Sequence, residues 1–332
     1  MQYRSIKGIS GWGQLAILLA FLGLGFLLAG VVELVIAMQL VPSGLPTDKM
    51  ADEVIKAMMR PENVGPARLA QVLGTFFLLF VPAALYLIIC HGRNRFWLGF
   101  NKHINGWQIL VGFFIIFLAN IIAAPLADIS KSLLSHAPNL NAMAQKMETA
   151  YSEQVMAISN LKTWPEFLMA LVIMAFFPAM FEEVFFRGAL QNLLVRWWKA
   201  PLLAIIITSI LFSLIHMSIY LFLSRVVLGF VLGLMYQRSK NLWVNIVAHF
   251  LNNAVVLVQM FWLSRHNTKV DLDKLDPKVS IWLGLVALGI SYGLFLLFEK
   301  LSSKNRQLVE LKEEELLEKN SLFHAFPETK NE

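Results

Sequence analysis

The sequence predicts an all-α, polytopic membrane bundle of about eight transmembrane helices, and two observations predict it. Of the 332 residues 57% are hydrophobic and only 15% charged, against about 25% charged in soluble domains. The apolar residues also gather in runs of about 20, the length needed to cross a hydrocarbon core about 30 Å thick. The net charge of +6 would raise nucleic acid as a partner for a soluble chain. Here Lys and Arg flank the apolar runs, where they orient helices, so the partner inferred is the lipid bilayer and no nucleic acid. Cys90 is the single cysteine, which excludes an intrachain disulfide and a cysteine-rich zinc site.

Taken in order, the candidate spans are Gly13 to Met38, Leu69 to Cys90, Trp107 to Ile129, Trp164 to Leu190, Leu202 to His216, Leu221 to Tyr236, Leu242 to Leu263 and Val279 to Phe298. The first is too long for the core of a cleavable signal and reads as a retained span. The fifth and sixth are short, and their limits are the least defined. Threading eight spans puts Arg4 and Lys7, Arg93, Arg95 and Lys102, Arg196 and Lys199, Arg238 and Lys240, and Lys300, Lys304 and Arg306 on one side. The opposite loops balance their bases with acids, among them Asp48, Glu148, Asp271, Asp273 and Asp276. The positive-inside rule then places both termini in the cytoplasm, in a multi-pass protein of the inner cell membrane.

Two outer loops, Pro46 to Met59 and Asn139 to Ser159, carry apolar residues at helical spacing and predict surface helices. Residues 1–300 read as one transmembrane domain with a core at about 164–263, and residues 301–332 as a charged cytoplasmic tail, helical at first and then disordered.

One stretch carries costly charges: Met180-Phe181-Glu182-Glu183-Val184-Phe185-Phe186-Arg187-Gly188, inside an otherwise apolar span. Ionisable groups at membrane depth are expensive and mark function or an ion cluster bracing the helices. On a helix, residues four apart share a face. Glu183 and Arg187 therefore form a pair assigned to structure, and Glu182, pointing elsewhere, is the carboxylate available for acid–base chemistry. Two histidines also fall inside apolar segments, His216 in Leu211-Phe212-Ser213-Leu214-Ile215-His216 and His249 in Val247-Ala248-His249-Phe250-Leu251-Asn252-Asn253. Asn253 lies one turn beyond His249 on the same face, whereas Asn252 is rotated away and suits packing. Glu182, His216, His249 and Asn253 thus come from three spans and suit a hydrolase acting on an acyl carbon. Glu182 and the two histidines would also make a metal set, for zinc, with an open fourth position.

Other chemistry has less support. Ser213 and Ser218 flank His216 outside any Gly-x-Ser-x-Gly turn, and the core has no His-Glu-x-x-His motif. Gly229 and Gly233 stand at helix-packing spacing.

Three blocks, Glu182-Glu183-Val-Phe-Phe-Arg187, Phe212-Ser-Leu-Ile-His216 and His249-Phe-Leu-Asn-Asn253, fit E-E-x-x-x-R, F-x-x-x-H and H-x-x-x-N in consecutive apolar segments. In this the chain resembles the CPBP family of intramembrane proteases, named for CAAX-prenyl-protein and bacteriocin processing. The resemblance covers about Trp164 to Leu263. It implies an all-helical endopeptidase in which Glu182 and His216 activate a water, His249 and Asn253 stabilise the oxyanion, and Glu183 and Arg187 are architectural. It implies a peptide or protein substrate, membrane-bound or lipidated. No cofactor is preferred, because Asn253 is a natural oxyanion donor and a poor zinc ligand. The rival readings are a non-catalytic peptide-binding or bacteriocin-immunity protein and a proton-coupled transporter using the same Glu and His as a relay.

Depth is the difficulty. Straight helices put His249 about 12 Å from its cytoplasmic end, and His216 nearer the far end of its span. Both face Glu182 only if the fourth and fifth spans tilt or project, which predicts that Arg187 to Pro201 stands at or beyond the interface.

Overall fold

Each of the eight predicted spans is a helix in the computed structural model, which describes residues 3–42, 44, 46–158, 161–266 and 279–325. The spans are α1 (Gly11–Met38), α3 (Pro61–His91), α4 (Gly106–Ser135), α6 (Trp164–Trp198), α7 (Pro201–Leu214), α8 (Phe222–Ser239), α9 (Leu242–Arg265) and α10 (Ile281–Ala325). Two surface helices complete the set, α2 (Thr47–Met59) and α5 (Pro138–Ile158). Among the described residues no strand occurs, and the fold is a polytopic helical bundle. Six of these helices are long and apolar enough to cross a membrane. α7 is apolar but short, and α8 carries Arg225 and Arg238. The loop acids Asp271, Asp273 and Asp276 and the end of the tail lie outside the described residues.

Local chemistry sets the helix starts. Ser10, Asn105, Thr163 and Asn241 each accept a first-turn backbone N–H at an N-cap, satisfying donors that would be orphaned in lipid. Several spans overrun their expected limits, because an apolar run marks the hydrocarbon depth and not the helix end. α6 continues from the expected Leu190 to Trp198, and α10 continues unbroken past Lys300, where a separate tail was expected.

The bundle inverts the soluble pattern. Only 17% of the α1 span is buried, and Phe26, Leu27 and Val31 point outward, as expected where lipid is the solvent. The interior is centred on α6, where Phe181, Val184, Phe185 and Phe186 pack with Leu18 of α1, Leu79 and Leu87 of α3 and Phe212 of α7. α6 is not a uniform α-helix, since π-helical turns run through Leu171–Phe176 and Val184–Gln191. Such turns concentrate at functional sites.

α8 lies beside both α6 and α7 because of its glycines. A Cβ on Gly229 would stand 3.2 Å from Ser209, and one on Gly233 2.8 Å from Ile205. The bare backbone also presents acceptors: Arg187 donates to the Gly229 carbonyl at 3.0 Å and Gln191 to the Gly233 carbonyl at 3.0 Å. The expected small-residue contact thus also takes up two polar side chains of α6.

The outer helix α5 is tied to the loop after α7. Ser218 donates to Glu148 at 2.7 Å, Tyr220 donates to Asn141 at 2.6 Å, and the Arg225 guanidinium lies over the Tyr151 ring at 5.2 Å. At the opposite end α10 makes two ties. Gln108 of α4 donates to Ser302 at 3.0 Å, and Arg196 of α6 donates to Glu313 at 2.9 Å.

Candidate active site

The α6–α7 hairpin brings the first two site residues to one height. From 182 to 198 and from 201 to 216, the chain descends and returns by about 24 and 22 Å at 1.5 Å per residue, so Glu182 and His216 face each other far from the turn. His249 is nine residues from Lys240, or about 13 Å from the α8–α9 turn. The α6–α7 turn therefore stands farther from these side chains than the α8–α9 turn. His216 lies just past the end of α7, whose last residue is Leu214.

Glu182 Oε2 stands 4.0 Å from His216 Nε2 and 3.9 Å from His249 Nε2. These gaps exceed a direct hydrogen bond and match one water shared between the groups. The other nitrogen of each ring is engaged. His216 Nδ1 lies 2.8 Å from the Phe212 carbonyl, and His249 Nδ1 lies 3.0 Å from Glu183 Oε1. Both partners are acceptors, which assigns the proton to Nδ1 in each ring and turns both Nε2 atoms toward Glu182.

Behind this cluster Glu183 is fully enclosed. Oε1 accepts from Arg187 at 2.8 Å and from His249, and Oε2 accepts from Asn245 at 3.1 Å. Arg187 is 1% exposed, and its guanidinium lies 4.8 Å over the Phe212 ring. The Glu183–Arg187 pair expected from spacing is therefore present, and it also orients His249. Asn245 donates in addition to the Leu232 carbonyl at 2.7 Å, locking α9 to α8. Sequence reasoning missed Asn245. The available signal was its position one turn before His249, on the face that His249 and Asn253 share.

Asn253 is half-buried on that face. Among the described residues no hydrogen bond ties it to Glu182, His216 or His249. Asn252, rotated away as expected, accepts from Asn120 of α4 at 2.6 Å. The loop beyond His216 is held as well: Arg225 donates to the His216 carbonyl at 3.1 Å, and Met217 takes a left-handed φ of 53°.

Among the described residues no group of three His, Cys, Asp or Glu side chains is gathered closely enough to hold a metal ion. Separations of 3.9 and 4.0 Å are wider than the ~3.3 Å between ligands of a tetrahedral zinc with ~2.0–2.1 Å bonds. Holding that ion would need Glu182, His216 and His249 to draw together by several tenths of an ångström.

Fold and site together define a polytopic helical bundle that encloses a carboxylate–histidine cluster. Residues 164–255, which contain every site residue named above, match the family described as type II CAAX prenyl endopeptidase, Rce1-like. The resemblance to the CPBP proteases read from the three motif blocks is borne out over that segment. The chain is 31% identical over 107 residues to "Uncharacterized protein YpbD" of Bacillus subtilis, covering 31% of this chain and 50% of that protein. It is 24% identical over 109 residues to "Putative membrane peptidase YdiL" of the same organism, covering 31% of this chain and 44% of that protein. The chain thus spans about half the length of the curated relatives it matches. No solved structure matches it.

Proposed function

We propose that the chain is a CAAX-protease-like intramembrane endopeptidase that hydrolyses a peptide bond with a water held by Glu182 and His216. The observation that carries this reading is the convergence of two fixed histidine Nε2 atoms on one oxygen of Glu182, at 3.9 and 4.0 Å. With both Nδ1 atoms donating elsewhere, the Nε2 of His216 and the carboxylate of Glu182 are two acceptors facing one space. A water there donates one proton to each and keeps a lone pair on oxygen free to attack.

In the first step the water oxygen bonds to the scissile carbonyl carbon and its proton passes to Glu182. The carbonyl electrons become an oxyanion. The Asn253 amide donates to that charge, and His249, held through Nδ1 by Glu183, is the second group placed beside it. In the second step the oxyanion collapses, the C–N bond breaks, and the proton held at Glu182 goes to the leaving nitrogen. The products are a carboxylic acid and an amine, the acid then giving its proton to the amine or to solvent, and no metal is required.

The match to a prenyl endopeptidase family and the relative named for peptidase activity support a peptide or protein substrate at the membrane, and a lipidated one among the candidates. The inner cell membrane is the proposed site of action. Purified protein carrying Glu182→Ala is expected to lose cleavage of a membrane peptide while keeping its thermal transition, and His249→Ala to lose cleavage together with the stability of its bond to Glu183. Full activity in both variants would overturn the reading. Activity that disappears with a chelator and returns with zinc would restore the metal route.

A further inference from the structure

A second site lies on the other side of α6. A cavity of about 750 Å³ opens between α3, α6, the turn Arg95–Leu98 and the first turn of α9, within the ~300–1,000 Å³ typical of small-molecule sites. Its inner wall is apolar, formed by Phe80 and Leu87 of α3 and Met180 and Val184 of α6. Its mouth carries Arg93, Arg95, Lys102 and Lys312, all exposed. No carboxylate lines it.

The charges at this mouth differ from their neighbours. Arg196, Arg238 and Arg306, at the same end of the bundle, each hold a carboxylate. Among the described residues none of the four cations at the cavity forms an ion pair. Lys312 lies 5.2 Å over the Phe96 ring, and four cations without a salt bridge around an apolar hole suit a ligand with an anionic head and a hydrocarbon tail. A basic pocket between membrane helices recognises an anionic lipid in this way. Trp243, also at the cavity, is a residue type that sits at headgroup level.

The cavity is separate from the carboxylate–histidine cluster. At 100° per residue, Glu182 points about 200° from Met180, so the helix turns its site carboxylate away from the cavity wall. A chain lodged there would not deliver a bond to Glu182. This disfavours the lipid group of a lipidated peptide as the occupant, and such a peptide would leave the four cations unused.

We propose that this cavity binds one anionic phospholipid, with an acyl chain along Leu87 and Val184 and the phosphate among Arg93, Arg95, Lys102 and Lys312. The assignment is independent of the proposed peptidase activity. Native mass spectrometry of the full chain in detergent, titrated with phosphatidylglycerol and with phosphatidylcholine of the same chains, tests it. The expected result is one retained phosphatidylglycerol, preferred at least tenfold over phosphatidylcholine. The Arg93→Gln, Arg95→Gln, Lys102→Gln, Lys312→Gln variant should lower that preference to within twofold. Ala84→Trp, which fills the cavity from α3, should abolish retention and decides the matter alone if the quadruple variant does not fold. Equal binding of the two lipids, or retention unchanged in Ala84→Trp, overturns the proposal. So does a lipidated peptide that displaces the lipid and binds the quadruple variant as well as the parent.

Discussion

Glu182 and Glu183 are neighbours in the chain with opposite surroundings. Glu183 is sealed from solvent and accepts from three donors, Arg187, His249 and Asn245. Glu182 keeps partial exposure and meets its two histidines only across gaps near 4 Å. A carboxylate with its lone pairs saturated holds other groups in place and has little capacity to take a proton. One that faces ring nitrogens across a water-sized gap has room for a water and for a proton. One residue of helical rotation therefore separates a saturated carboxylate from an open one, and the proposed mechanism gives the open one the reacting role.

The largest effect should come from the reacting side. Glu182→Gln keeps size and polarity but removes the proton acceptor, and cleavage should fall by about 10³-fold with the thermal transition unchanged. An activity loss that only tracks unfolding would erase the distinction between the two carboxylates. On the positioning side, Arg187→Met leaves Glu183 enclosed without its cation and should cost about 3–5 kcal/mol of stability. Adding Glu183→Gln to that variant removes the buried charge. Stability should largely return, while activity stays low because His249 has lost its charged acceptor. If activity returns with stability, Glu183 is only a brace.

A smaller effect is expected from Asn245→Ala. It removes one donor to Glu183 and one to the Leu232 carbonyl, for about 1–3 kcal/mol. Asn245→Asp would be worse, since it sets a second carboxylate against Glu183. Equilibrium unfolding in detergent checks both. The last effect, read only above neutral pH, lies outside the spans, at Lys240 between α8 and α9. Burial pulls its ammonium down to about 8 from the usual 10.5. A lowered lysine costs stability wherever both states hold the proton. That cost is fully present below pH 8 and is relieved as pH rises from 8 to 10.5, where the folded form releases its proton first. Stability should therefore rise across that window in the parent and stay flatter in Lys240→Gln.

Much of this was readable in the sequence. Six of the helices follow from apolar length and α7 and α8 from shorter apolar runs, and the Glu183–Arg187 pair from four-residue spacing. Glu182, His216 and His249 stand together as the motif blocks suggested. What spacing could not show is contact between helices. The bond from His249 to Glu183 depends on how α9 crosses α6, so Glu183 read as architecture alone and Asn245 was passed over. The π-helical turns were also hidden, because a constant 100° period assumes they are absent. The depth of His216 looked like an obstacle while spans were measured from apolar limits. It dissolved once α6 ran on to Trp198 and gave the hairpin two arms of equal length.

The two ties of α10 set a vertical gauge. Ser302 is joined to α4 and Glu313 to α6, eleven residues apart on one unbroken helix, a rise of about 16 Å. These two bonds hold α4 and α6 at set heights along α10. A bilayer of another thickness would deform around the bundle before it could slide α6 along α4.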